Sequence, residues 1–169
     1  MSSEIIQLRA KDDSEPRHVI WLRTLRKTGQ IVYVGHYGLC DTPEGVRCCK
    51  VVFPLPCGNA TVILEPVVHE DGSLELRSCG ERFGDPGFYF LLRDRKGRHW
   101  TRYIRSMRES IRVYEDEDGD LRTDHVLTLW RRRVFTLHYR IRPAAERVER
   151  QGERQTPHPG TRSGLQSTA

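Results

Sequence analysis

The chain has 169 residues, 37% of them hydrophobic and 30% charged, which is the composition of one globular domain able to bury a core without disulfides or a metal. No apolar run approaches the roughly 18 residues a spanning helix needs, and Met1–Gln7 lacks the basic and long apolar parts of a secretory signal, so a cytoplasmic protein with no membrane partner is expected. Twenty-eight Lys and Arg against 23 Asp and Glu give a formal charge of +5, and five cysteines at irregular spacing suit reduced thiols better than a disulfide framework.

Residues 1–16 are polar and end in Lys11-Asp12-Asp13-Ser14-Glu15-Pro16, so they are expected to form an N-terminal arm before the first strand. The β-domain is then expected to run over residues 17–142. His18 to Arg26 and Gln30 to Gly38 flank the turn signal Lys27-Thr28-Gly29 and read as a first hairpin. Val46 to Phe53 follows a loop, and Pro54-Leu55-Pro56-Cys57-Gly58-Asn59 breaks the chain before Ala60 to Val68. Glu70-Asp71-Gly72-Ser73 closes a tight hairpin onto a strand in which Leu74, Leu76 and Ser78 share a face. A Gly/Pro-containing loop, Gly80 to Gly87, precedes Phe88 to Arg93, where Phe88, Phe90 and Leu92 share a side.

The stretch from Trp100 to Arg142 alternates at period two: Ile111 with Val113, Leu127 with Leu129, and Phe135, Leu137, Tyr139 and Ile141. Glu115 to Asp120 supplies a turn, and Arg131-Arg132-Arg133 marks a hairpin tip. No segment carries a helical period of useful length. The spacing predicts an all-β fold of nine or ten strands, and the short connections favour an up-and-down antiparallel barrel, which removes exposed edges. Residues 143–169, which include Arg147, Arg150, Arg154 and Arg162, have almost no apolar side chains and are expected to be a disordered basic tail. Charge at a tail and a hairpin tip serves solubility, so sequence-specific nucleic-acid binding is not expected.

Four polar residues interrupt the apolar parities: Arg102 between Trp100 and Ile104, Glu109 before Ile111, His125 before Leu127, and Tyr139 among the aliphatics. A barrel of this size can enclose one apolar ligand, oriented by a few polar groups. In that arrangement Glu109 and His125 are the candidate catalytic residues, either of which moves a proton; the register of the hairpin between them is open by one or two residues. Arg102 holds a carbonyl or carboxylate, Tyr139 hydrogen-bonds an oxygen, and Trp100 and Phe90 contribute apolar wall. The same parities allow a plainer arrangement in which Arg102 and Glu109 form a cross-strand ion pair at the rim and His125 is a satisfied core histidine. The histidines are scattered, with no close pair of zinc-site spacing, so no metal is expected; nor is there a phosphate loop or a Gly-x-Ser-x-Gly elbow.

Laid out in this way, residues Arg17 to Arg142 resemble the lipocalin-like (calycin-type) barrels, and in size the chain is similar to small bacterial β-barrel cyclases of polyketide pathways. The Gly-x-Trp signature of lipocalins is absent from the first strand, which reads Val19-Ile20-Trp21-Leu22. The resemblance implies a central apolar pocket for a hydrophobic small molecule, no metal or redox cofactor, and catalysis by holding a substrate in a reactive shape. A carrier or sensor of such a ligand is the alternative without turnover, and a basic module for nucleic acid or protein is the third. A homodimer is left open.

Overall fold

A computed structural model describes residues 2–9, 11 and 18–141. The fold is all-β: β1 (Ser2–Leu8), β2 (His18–Thr24), β3 (Ile31–Asp41), β4 (Arg47–Leu55), β5 (Gly58–Val68), β6 (Leu74–Arg77), β7 (Phe88–Arg93), β8 (His99–Ile104), β9 (Met107–Glu115), β10 (Leu121–Leu129) and β11 (Arg132–Ile141). Every pairing is antiparallel, in one 11-stranded sheet ordered β1-β2-β3-β4-β5-β6-β9-β10-β11. Among the described residues no helix is long and apolar enough to cross a membrane.

Three expectations change. Ser2–Leu8 is a strand rather than part of a polar arm: it adds to β2 in the register Ser3↔Arg23 and Ile5↔Trp21. As an edge strand it has one neighbour and little to bury, so its sequence carries few apolar residues. The sheet is not a closed barrel, since its ordered path ends at β1 on one side and β11 on the other. Nor is the order purely up-and-down, because β6 pairs directly with β9 and the β7–β8 hairpin stands off the path. The expected tail, 143–169, lies outside the described residues.

The fork has a local cause in β5. One edge of this strand pairs with β4 from Gly58 to Leu64, while its other edge is divided: Gly58 to Val62 pair with β7, and Glu65 to Val68 pair with β6. Gly58 is needed at the start of the fork, for a Cβ there would stand 2.1 Å from the Leu91 carbonyl oxygen of β7. Behind the fork, Tyr89 donates its hydroxyl to the Asp85 carbonyl at 2.5 Å and Tyr103 donates to that of Gly80 at 2.7 Å, which fastens the 80–87 loop against the β7–β8 hairpin.

Directly opposed residues of an antiparallel pair share a face. The registers Tyr37↔Val51, Val51↔Val62 and Val62↔Phe88, with Leu76↔Ile111 and Ile111↔His125, therefore trace one continuous face across the sheet. This face is concave and apolar. The opposite face carries the ion pairs Glu65–Arg77, Asp71–Arg112, Asp116–Arg122, Asp120–Arg140 and Asp124–His138. Val62, at 2% exposure, Val51, Leu64 and Cys48 are the most buried side chains of the central strands.

All five cysteines are free. Burial pushes the Cys48 thiol up to about 11, and raises Cys49 as well, so both are protonated thiols at neutral pH.

Candidate functional site

The concave face encloses a cavity of about 610 Å³, lined by residues of every strand from β2 to β11 except β8. That volume falls in the range of small-molecule sites. Its floor is aliphatic and aromatic, including Val51, Phe53, Val62, Leu64, Leu76, Phe88, Ile111 and Leu127, and its polar groups gather on the two flanks of the curled sheet.

On the β9–β11 flank, Glu109 Oε1 and His125 Nε2 are 2.6 Å apart, and both side chains are more than four-fifths buried. The hairpin turn sets this contact. Asp116 and Asp120 close it through the Asp116 amide, and the register Glu115↔Leu121 runs on to Glu109↔Leu127 and Ile111↔His125. Glu109 and His125 are thus diagonal neighbours on one face, within reach of two long side chains. Behind Glu109, Ser78 is 1% exposed; its backbone amide donates to the Glu109 carbonyl at 2.9 Å, and its hydroxyl accepts from the Glu109 amide at 2.7 Å. The strand position that carries the carboxylate is therefore fixed from both sides.

A carboxylate accepts, so the Nε2 that faces it donates, and Nδ1 is the ring nitrogen that Glu109 leaves unengaged. Among the described residues Nδ1 has no hydrogen-bond partner. Phe135 and Tyr139 of β11 hold the imidazole in place, with ring centroids 5.2 Å and 6.5 Å away. Thr123, two residues before His125 and opposite Tyr139, also lines the cavity, and its buried Oγ1 has no partner among the described residues.

On the β2–β3 flank, the Arg23 guanidinium lies over the Trp21 ring at 4.1 Å and stands 5.6 Å from the Tyr33 ring. Tyr33 and Tyr37 join hydroxyls at 2.7 Å across Gly35. Gly35 makes room for them: a Cβ there would stand 2.8 Å from the Tyr33 hydroxyl and 3.0 Å from the Tyr37 ring. Burial, and then the bond to Tyr33, holds the Tyr37 phenol far above its ordinary value, so it remains a neutral hydroxyl. The indole of Trp21 donates to Ser3 Oγ at 2.5 Å, which ties β1 to this flank.

Of the residues that strand parity singles out, Glu109, His125 and Tyr139 line this cavity. Arg102, Trp100 and Phe90 do not. They belong to the β7–β8 hairpin, where Phe90 opposes Arg102 and Leu92 opposes Trp100, and the hairpin follows only the first half of β5 away from the main path; Phe88 alone reaches the cavity from it. Arg102 and Trp100 are exposed. The partner of Glu109 is His125, so no rim ion pair with Arg102 forms.

Arg23, Trp21, Tyr33 and Tyr37 are the residues that strand parity passes over. An arginine at an alternate position in a strand reads as a solvent-facing side chain. The available signal was that Trp21 and Arg23 share one parity, as do Tyr33, Gly35 and Tyr37, so that the aromatics and the cation are on one face. Among the described residues no group of three or more His, Cys, Asp or Glu side chains is placed to hold a metal ion. Compared with known proteins, the chain matches no protein-family model, no curated protein and no solved structure.

Proposed function

We propose that the concave face of this sheet binds a hydrophobic small molecule bearing a hydrogen-bonding oxygen, and that His125, oriented by Glu109, exchanges a proton with it. The observation that carries the reading is a charge-capable pair at 2.6 Å set into a predominantly apolar wall. Burying two ionisable groups costs desolvation free energy that a simple container has no reason to meet. A base held by a carboxylate on the wall of an apolar cavity is the arrangement used to remove a proton next to a carbonyl. Enolisation followed by ring closure, with the wall holding the substrate in a folded shape, is the cofactor-independent cyclase form of this reading. A carrier or sensor uses the same cavity without the proton transfer.

Cavity binding is tested with N-phenyl-1-naphthylamine, a neutral dye whose emission rises in apolar surroundings. The wild-type protein is expected to bind it at micromolar concentration with a blue shift. Leu127→Trp, which extends a wall residue into the cavity, is expected to abolish that signal while leaving the β-sheet circular dichroism unchanged. A wild-type protein that does not bind the dye, or a filled variant that binds it equally well, overturns the reading.

A further inference from the structure

Arg23 is the one guanidinium on the cavity wall, and nothing among the described residues neutralises it: the only carboxylate in the cavity, Glu109, is engaged by His125 on the other flank. On the opposite face Arg77, Arg112, Arg122 and Arg140 each have a carboxylate within ion-pair distance, while Arg108 there lies outside the cavity altogether. The guanidinium is half-buried, with its central carbon over the Trp21 ring, so part of its hydration is lost without a counter-charge. Stacking uses the π-face and leaves the edge N–H donors free, and those donors match the geometry of a carboxylate, sulfonate or phosphate. The hydroxyls of Tyr33 and Tyr37 lie beside it as further neutral polar groups.

We infer that the ligand is amphiphilic and anionic, its acidic head bound by Arg23 against the Trp21–Tyr33 wall and its apolar body lying on the aliphatic floor. The inference rests on the cavity-binding reading above and specifies the ligand class. A neutral hydrophobe fills the same floor but leaves the guanidinium uncompensated, so the site discriminates by the head group.

The test uses two dyes with one chromophore: 1-anilinonaphthalene-8-sulfonate, which is anionic, and N-phenyl-1-naphthylamine, which lacks the sulfonate. In the wild-type protein the anionic dye is expected to displace the neutral one and to bind about 10- to 100-fold more tightly, the range for a charge-assisted contact. Arg23→Met keeps the length and the contact with Trp21 but removes the charge, and is expected to erase that preference while binding of the neutral dye stays within about twofold. Arg23→Lys, which keeps the charge, is expected to retain part of it and serves if the methionine variant does not fold. Equal affinities in the wild-type protein, or a preference that survives in Arg23→Met, overturns the inference and leaves the cavity reading standing. Failure of the neutral dye to bind the wild-type protein removes the cavity reading itself.

Discussion

At the scale of single residues, the proposed chemistry comes down to one histidine and the carboxylate that faces it. Glu109 engages Nε2 of His125 at 2.6 Å, and Nδ1 is the nitrogen left for a substrate in the proposed proton transfer. 5-Nitrobenzisoxazole is a flat apolar molecule that opens to a cyanophenolate when a base removes its ring C–H, so it reports a positioned base without knowledge of the natural substrate. The protein is expected to accelerate this opening above buffer, and His125→Phe to return the rate to background. Glu109→Gln, which leaves the imidazole without its fixed tautomer, should lower the rate about 10- to 100-fold. Full activity in His125→Phe, with absorbance of the phenolate as readout, would make the pair a structural one. A second residue-scale effect concerns the buried thiol Cys48. Its ordinary value is 9.0, and burial raises it to about 11 in the fold. Unfolding therefore releases a proton between these limits. Stability should be independent of this group below pH 9 and fall as pH rises from 9 toward 11, and Cys48→Ala should flatten that fall in denaturant titrations across the same window.

Among the elements, the β10–β11 hairpin carries two successive strained positions. Its two-residue turn places Trp130 at φ 47° and Arg131 at φ 64°, a left-handed pair that glycine and asparagine adopt and bulky side chains resist. Trp130→Asn with Arg131→Gly is expected to raise stability by about 1 to 2 kcal/mol, seen as a melting midpoint several degrees higher. A lower midpoint would mean that Trp130, although 74% exposed, contributes packing to its neighbours. The same hairpin illustrates what strand patterns convey. Alternation through Leu127, Phe135, Leu137 and Tyr139 is enough to place a sheet and name a face, because one side of each strand must be apolar. It does not say which strand lies beside which. Ser2–Leu8 has too few apolar residues to be seen as a strand, and the pairing of β6 with β9 depends on β5 dividing its edge between two partners, which no local pattern records. Arg102 and Arg23 occupy equivalent positions in the alternation. Only the course of the β7–β8 hairpin separates the one outside the cavity from the one on its wall.

The molecule as a whole is a sheet bent round a ligand-sized space and left unsealed. A closed barrel has its radius fixed by strand number and stagger, since every strand must meet a neighbour on both sides. Here β1 and β11 end the path, and among the described residues no closing ladder ties one to the other. The girth can then vary through the twist and coil of the sheet while every interstrand hydrogen bond is kept, as a cuff opens without tearing. Width is consequently a poor basis for discrimination in such a vessel. Under the proposed reading, what a guest carries at its two ends, against Arg23 on one lip and His125 near the other, decides whether it is held.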